Sequence, residues 1–303
     1  MTIVVAGYTG LVGSAIFELL KEVGEEPIGV NSKNVDLLDR SATFSFFQDT
    51  KPDLVIDAAA LVGGIGANNS FPVEFLTKNL QIQNNLLDAA HVAGVERLVF
   101  LASSCIYPRN CDFPIREEYL MSGPLETTNS AYAIAKIAGI ELVKSYRKQF
   151  GHNWISLLPT NVYGPRDNFD TATGHVLPAL INRFSSAKKL GSNHVRLWGT
   201  GDPKREYIHS RDLARAILIA AERYDEETHL NIGIGEDLSI RELASLISEL
   251  VGYDGEISWD TSKPSGTPRK VLDVSRIKSL GWNPEITLKE GIKETIAWFE
   301  ANS

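Results

Sequence analysis

The sequence predicts an α/β fold: a doubly wound parallel sheet with a smaller α/β domain towards the C-terminus. Three observations lead there. Short apolar runs alternate with helical patterns through the first half of the chain, a glycine triplet joins the first run to the first helix, and beyond Gly151 the alternation yields to turn-rich segments.

The first run, Thr2-Ile3-Val4-Val5-Ala6, reads as a buried strand and passes at once into Gly7-Tyr8-Thr9-Gly10-Leu11-Val12-Gly13. From Ser14 to Gly24 the apolar positions Ile16, Leu19 and Leu20 recur at helical spacing. Gly-x-x-Gly-x-x-Gly at this junction suits a dinucleotide. Gly7 permits the tight turn, Gly10 lets the backbone approach a pyrophosphate, and Gly13 lets the helix pack close to the strand, with the anion at the helix N-terminus. A glycine triplet alone is often only a turn; its place between strand and helix selects the ligand.

A second strand, Pro27 to Val30, ends at Asn31-Ser32-Lys33. An acidic residue there would bind the 2′-hydroxyl of NAD, but the first is Asp36; the amide, hydroxyl and ammonium groups of Asn31, Ser32 and Lys33 suit the 2′-phosphate of NADP. Asp53 to Asp57 is a third strand leading into Ala58-Ala59-Ala60, small enough for an adenine ring to lie against the backbone. A helical pattern from Val73 to Ala93 precedes a fourth strand, Arg97 to Ala102, which delivers Ser103 at its carboxyl end, where ligands of such sheets bind. The order is that of a Rossmann-type sheet.

Asn129 and Ser130 are good N-caps for the next helix, in which Ile134, Ile137, Ala138 and Leu142 keep helical spacing and Gly151 provides a C′ stop. Tyr132 and Lys136 therefore stand one turn apart. A phenol ordinarily titrates near about 10, and an ammonium group beside it favours the phenolate. With a serine hydroxyl facing both, Ser103, Tyr132 and Lys136 form a set for moving a proton on or off a sugar or alcohol oxygen while a nicotinamide moves hydride. Tyr-x-x-x-Lys arises by chance on any helix with a polar face; the glycine turn upstream gives it weight.

With 43% hydrophobic and 22% charged residues and a net charge of −8 over 303 residues, the composition is that of a globular chain of two domains or one large one. No apolar run reaches the ~18 residues of a membrane helix and Met1 leads straight into a strand, so the expectation is a cytoplasmic protein with no membrane partner. A pI near 5.4 argues against a nucleic-acid partner. Cys105 and Cys111 build no disulfide framework and carry no metal-ligand spacing, so no metal is expected.

The glycine turn with Tyr-x-x-x-Lys far downstream resembles the extended short-chain dehydrogenase/reductase superfamily of nucleotide-sugar enzymes. Longer stretches narrow it. Ala59-Ala60-Leu61-Val62-Gly63-Gly64-Ile65, Ser103-Ser104-Cys105-Ile106-Tyr107-Pro108, Pro159-Thr160-Asn161-Val162-Tyr163-Gly164-Pro165, His175-Val176-Leu177-Pro178-Ala179-Leu180 and Lys263-Pro264-Ser265-Gly266-Thr267-Pro268-Arg269-Lys270 resemble the GDP-L-fucose synthase family. The resemblance implies NADP(H) as cofactor and a GDP-4-keto-6-deoxy-D-mannose substrate, epimerised at C3 and C5 and then reduced at C4. It implies that Ser103 and Tyr132 donate to the enolate oxygen, that Tyr132 protonates the reduced oxygen, and that Lys136 tunes the phenol and holds the nicotinamide ribose. Cys105 and His175 become base and acid of the epimerisation. On their residues alone, Cys105 reads as small packing material past a strand and His175 as a polar helix cap. The resemblance also places Ala58, Leu101, Ala102, Ser104, Pro159, Thr160, Asn161, Val162 and His175 along the cofactor; Cys111 matches no motif.

Residues 1–165, with a returning segment near 206–226, are assigned to the dinucleotide-binding domain, and 166–205 with 227–303 to the substrate domain. Asn153 to Leu158 is a further strand, Ser239-Ile240-Arg241-Glu242 is a capping box opening a helix through Leu250, and Trp282 and Trp298 read as packing aromatics. By the resemblance, Arg183 and Arg205 are the guanidinium groups that fork onto a diphosphate. Trp198 either packs on the nucleotide or sits in the core beside Val195 and Leu197. Arg269 and Lys270 lie in a turn facing nucleotide or solvent, and Ser265 stands where some family members carry an acid. A homodimer is expected from the superfamily's paired long helices, and Gly139 in mid-helix fits either close approach between subunits or burial within one. Three functions stay open: the bifunctional epimerase-reductase, a related 4-epimerase or synthase of another deoxysugar such as colitose, and a dinucleotide-binding regulator without chemistry. Ser103, Tyr132 and Lys136 argue against the last, and Cys105 with His175 argues for the first.

Overall fold

The computed structural model describes residues 1–263 and 267–303. The elements β1 (Ile3–Ala6), α1 (Leu11–Glu22), β2 (Ile28–Val30), α2 (Arg40–Thr50), β3 (Leu54–Asp57), α3 (Ile65–Ser70), α4 (Pro72–Val92), β4 (Arg97–Leu101), α5 (Ser130–Phe150) and β5 (Ile155–Pro159) alternate in the expected order. They are followed by β6 (Asn161–Tyr163), α6 (Val176–Lys189), β7 (His194–Trp198), β8 (Lys204–Arg205), β9 (Tyr207–His209), α7 (Ser210–Arg223) and β10 (Leu230–Ile232). Last come β11 (Leu238–Ser239), α8 (Ile240–Val251), β12 (Glu256–Asp260), β13 (Arg269–Lys270), α9 (Ser275–Ser279) and α10 (Leu288–Asn302).

The large sheet has six strands in the order β10-β5-β4-β3-β1-β2, parallel throughout. Its central strands are buried along almost their whole length, as a parallel sheet covered on both faces requires. This is the Rossmann-type α/β fold, and its carboxyl ends present Gly7, Ala58, Ala102 and Thr160 at one rim.

The domain division differs in one respect. Helix α7 packs on α1, as the sequence leads one to expect, but the return does not end at 226: β10 adds to the edge of the large sheet, with Leu230 opposite Leu157. Leu272, Val274, Ile277 and Trp282 join the same core. A three-residue strand is too short to declare itself by periodicity, and its pairing is set by a neighbour more than seventy residues away. A second core gathers Leu177, Ile181 and Phe184 of α6, Leu243 and Ile247 of α8, and Ile292 and Ile296 of α10.

The capping box at Ser239 and Glu242 is formed, and a second, at Thr287 and Glu290, opens α10. Trp282 is fully buried and donates to the Asp212 carbonyl (3.2 Å), while Trp298 stacks on Phe169. Gly139 is settled by its surroundings: a Cβ there would lie 2.3 Å from Phe100 Cζ and 2.9 Å from Gln83 Oε1, so the glycine serves packing within one subunit and lends nothing to a dimer. Gly139→Ala is expected to cost about 1–3 kcal/mol by overpacking, read as a lower urea midpoint with an unchanged slope. Among the described residues no helix is long and apolar enough to cross a membrane.

Candidate active site

The glycine turn closes as its spacing requires. Gly10 N donates to Gly7 O (3.0 Å), and a Cβ on Gly13 would fall 2.2 Å from that same oxygen. Gly10 is the N-cap of α1 and has no side chain to satisfy the first helical N–H groups, which suits a bound anion. A Cβ on Gly10 would meet only Gly7 O, at 3.5 Å, so the turn is open on the side where a pyrophosphate would lie. After β2, Asn31 Oδ1 accepts from Lys33 N (2.8 Å), organising a turn that leaves Ser32 and Lys33 exposed. Asp36 turns its carboxylate onto Leu38 N (3.0 Å). The residues present fit NADP(H).

At the end of β4, Ser103 Oγ accepts weakly from Cys105 N (3.4 Å), beginning a single 3₁₀ turn, Ser104–Ile106. Helix α5 brings Tyr132 and Lys136 down beside it; they are 7% and 3% exposed. Lys136 Nζ donates to Leu101 O (2.9 Å) and lies 4.7 Å from the centre of the Phe100 ring. Gln83 of α4 donates to Ala135 O (2.8 Å), and the Phe75 ring meets Tyr132 edge-on. Burial first, and then Cys105, hold the Tyr132 phenol above its ordinary value, opposite to the lowering expected from Lys136. The phenol stands protonated, as a donor. Burial lowers Lys136, opposed by Asp57 and Cys105. Cys105 is half-buried and acts electrostatically on both Tyr132 and Lys136, so Ser103, Cys105, Tyr132 and Lys136 are brought together.

His175 is the N-cap of α6, yet its ring makes no capping bond, so the plain capping role does not apply. Its surface is open to solvent while the protein around it is dense enough that burial lowers the imidazole, the combination expected of a cleft wall. The loop before it is held by Asp170 and docks through Gly64 N on Thr173 O (2.8 Å), beside the segment that leaves β3. Asn129 also departs from its expected role: its backbone caps α5, but its Oδ1 is buried without a partner.

The substrate-domain candidates divide. Arg205 of β8 is half-buried, and burial lowers its guanidinium, with Tyr207 opposing. It is registered beside Lys270 of β13, the neighbour of Arg269 in the turn expected to face nucleotide or solvent; burial lowers Lys270, and Cys105 heads the groups opposing this. Arg183 is half-buried and donates to Arg196 O (3.4 Å). Trp198 is 65% exposed, which removes the core reading, and the Lys263 ammonium lies 5.8 Å from the centre of its ring. Arg269 is already paired with Asp237 and lies over the Phe113 ring. Ser265 lies outside the described residues. Cys111 donates to Pro108 O (3.7 Å), a local contact.

Glu206, fully buried between β8 and β9, ties these parts together. Its carboxylate accepts from Gly235 N (2.7 Å) and Leu272 N (2.9 Å), and its carbonyl accepts from Asn161 Nδ2 (2.8 Å) and Thr160 Oγ1 (3.3 Å). Among the described residues no group of three or more His, Cys, Asp or Glu is placed to hold a metal ion.

The model of the NAD dependent epimerase/dehydratase family matches residues 3–233. The chain is 49% identical over 301 residues to GDP-L-fucose synthase 1 of Arabidopsis thaliana, covering 99% of this chain and 93% of that one. It is 46% identical over 308 residues to the GDP-L-fucose synthase of Escherichia coli (strain K12), covering 98% and 96%. A solved structure, a GDP-L-fucose synthetase from Naegleria fowleri bound to NADP, matches with a TM-score of 0.92 at 31% identity, covering 99% of this chain and 94% of that one. The glycine turn, the Ser–Tyr–Lys cluster and these full-length similarities agree: the chain belongs to the NAD dependent epimerase/dehydratase family, among its GDP-L-fucose synthases.

Proposed function

We infer that this chain converts GDP-4-keto-6-deoxy-D-mannose to GDP-L-fucose by epimerisation at C3 and C5 and NADPH-dependent reduction at C4. The observation that carries this reading is the meeting of a half-exposed thiol, Cys105, with the buried Tyr132 and Lys136; a plain reductase has no use for the thiol. NADPH, when bound, supplies the hydride for C4. The chain's own groups do the rest. C3 and C5 flank the ketone, so loss of either proton places negative charge on the C4 oxygen, where Ser103 Oγ and Tyr132 Oη donate. Cys105 takes the proton as the base, and His175 returns one from the other face of the ring. Tyr132 then protonates the C4 oxygen during reduction, with Lys136 beside it. Arg205, Arg183 and Lys270 would face the diphosphate, and Trp198 the nucleotide.

Incubation with this substrate and NADPH in deuterated water, with the product identified by NMR, tests the reading. GDP-L-fucose labelled at C3 and C5 supports it; a reduced but unlabelled sugar rejects the epimerase half, no NADPH oxidation rejects the reductase half, and neither label nor oxidation rejects both. An NAD carried stoichiometrically through purification would instead favour a 4-epimerase.

We also propose a homodimer formed through α4 and α5 and a cytoplasmic location. Val73 on α4 and Ile134 on α5 are exposed apolar side chains, 66% and 50% accessible, that such a contact would cover. Light scattering is expected to report twice the chain mass; a monomer at working concentration removes this assignment.

A further inference from the structure

A carboxylate that the reaction as described does not use lies behind the Ser–Tyr–Lys cluster. Asp57 closes β3 and is 0% exposed; its Oδ1 accepts from Ala59 N (3.1 Å), and its Oδ2 is buried without a hydrogen-bond partner. Registered neighbours in a parallel sheet share a face, and Asp57 is registered against Phe100 of β4. The Phe100 ring lies beneath Lys136 Nζ and against Gly139 of α5. Asp57, Phe100 and Lys136 therefore occupy the same face of the sheet, under α5. Lys136 has three N–H donors, of which Leu101 O takes one.

The groups around the pair are few. Lys136 is faced by Asp57 from β3 and by Cys105 from the segment after β4, with Tyr132 one turn before it on α5; α4 contributes the neutral Gln83, bonded to Ala135 O. Asp57 is faced by Lys136 and accepts from the Ala59 N–H. Burial pushes the Asp57 carboxyl up to about 6, with Lys136 drawing it back, so it is largely ionised at neutral pH. An ammonium group this deeply buried loses its proton readily unless an anion opposes the cost of desolvation. A neutral amine would not favour negative charge on Tyr132 as its proton leaves for the C4 oxygen.

We propose that Asp57 is a positioning residue for the reduction: its carboxylate is the buried counter-ion that keeps Lys136 charged, one turn along α5 from the phenol. This rests on the reading of Lys136 in the Ser–Tyr–Lys set. The counter-ion acts through Lys136 and touches neither sugar nor nicotinamide.

Asp57→Asn keeps the size and the acceptor for Ala59 N–H while removing the charge. The basic limb of the kcat/KM profile for reduction is expected to move to lower pH by about one unit, a fall of about fivefold at the wild-type midpoint that approaches about tenfold above it. A limb that stays in place, whatever happens to the thermal midpoint, overturns the proposal. A thermal cycle with Lys136→Met gives a readout independent of turnover. Asp57→Asn is expected to lower the midpoint when Lys136 is present and to raise it in the Lys136→Met background, where the carboxylate is left buried and unpaired. The same sign in both backgrounds overturns the pairing. Should the wild-type chain fail to make GDP-L-fucose, the assigned reaction falls, and the thermal cycle still decides the pair.

Discussion

Tyr132→Phe is expected to slow NADPH oxidation by about 10²- to 10⁴-fold, the range that a positioned general acid contributes. The phenol is 7% exposed, and burial keeps it protonated, so in the proposed reaction it is a ready donor. Phenylalanine keeps the edge-on contact with Phe75 and removes only the donor. Exchange of solvent deuterium into C3 and C5 should persist at a reduced rate, because Ser103 still donates to the enolate oxygen. Stopped-flow absorbance of NADPH and NMR of the exchanged sugar separate the two effects. Reduction within a few-fold of wild type would remove Tyr132 from the proton transfer.

Cys105→Ser should do the reverse. Serine fits the same half-buried position, but its hydroxyl ionises far less readily than a thiol, so proton removal from C3 and C5 is expected to fall by about 10²- to 10⁴-fold. Hydride transfer to the unepimerised ketone remains possible, since Tyr132 and Lys136 are untouched, and the product should carry neither inversion nor label. Undiminished deuterium incorporation would strip Cys105 of its assigned role. The two variants together divide one cleft into two chemistries.

What could be read from the chain alone follows from how local each signal is. The turn at Gly7 to Gly13, the four-residue step from Tyr132 to Lys136 and the box at Ser239 and Glu242 are complete within a few residues, and the structure shows the turn, the step and the box as their spacing requires. Asp57 read only as the end of an apolar strand, because its meaning comes from Phe100 and Lys136, which are distant in sequence. Lys270 is set beside Arg205 by strand pairing, and Arg269, though exposed, is paired with Asp237, thirty-two residues upstream. The expected lowering of the Tyr132 phenol failed for a physical reason: proximity to an ammonium group was weighed without the desolvation that comes with burying the ring. The β10 strand was missed because three residues carry no period.

Glu206 has a mechanical consequence. One side chain and its own carbonyl fasten the strand bearing Arg205 to the Thr160–Asn161 wall and to the segment just past Lys270. The strand that carries the proposed phosphate ligand is thereby riveted to the end of β5 and the start of β6. Moving the Arg205 strand away from that wall would leave buried donors and the Glu206 carboxylate unpaired, so the spacing between the two is set when the chain folds.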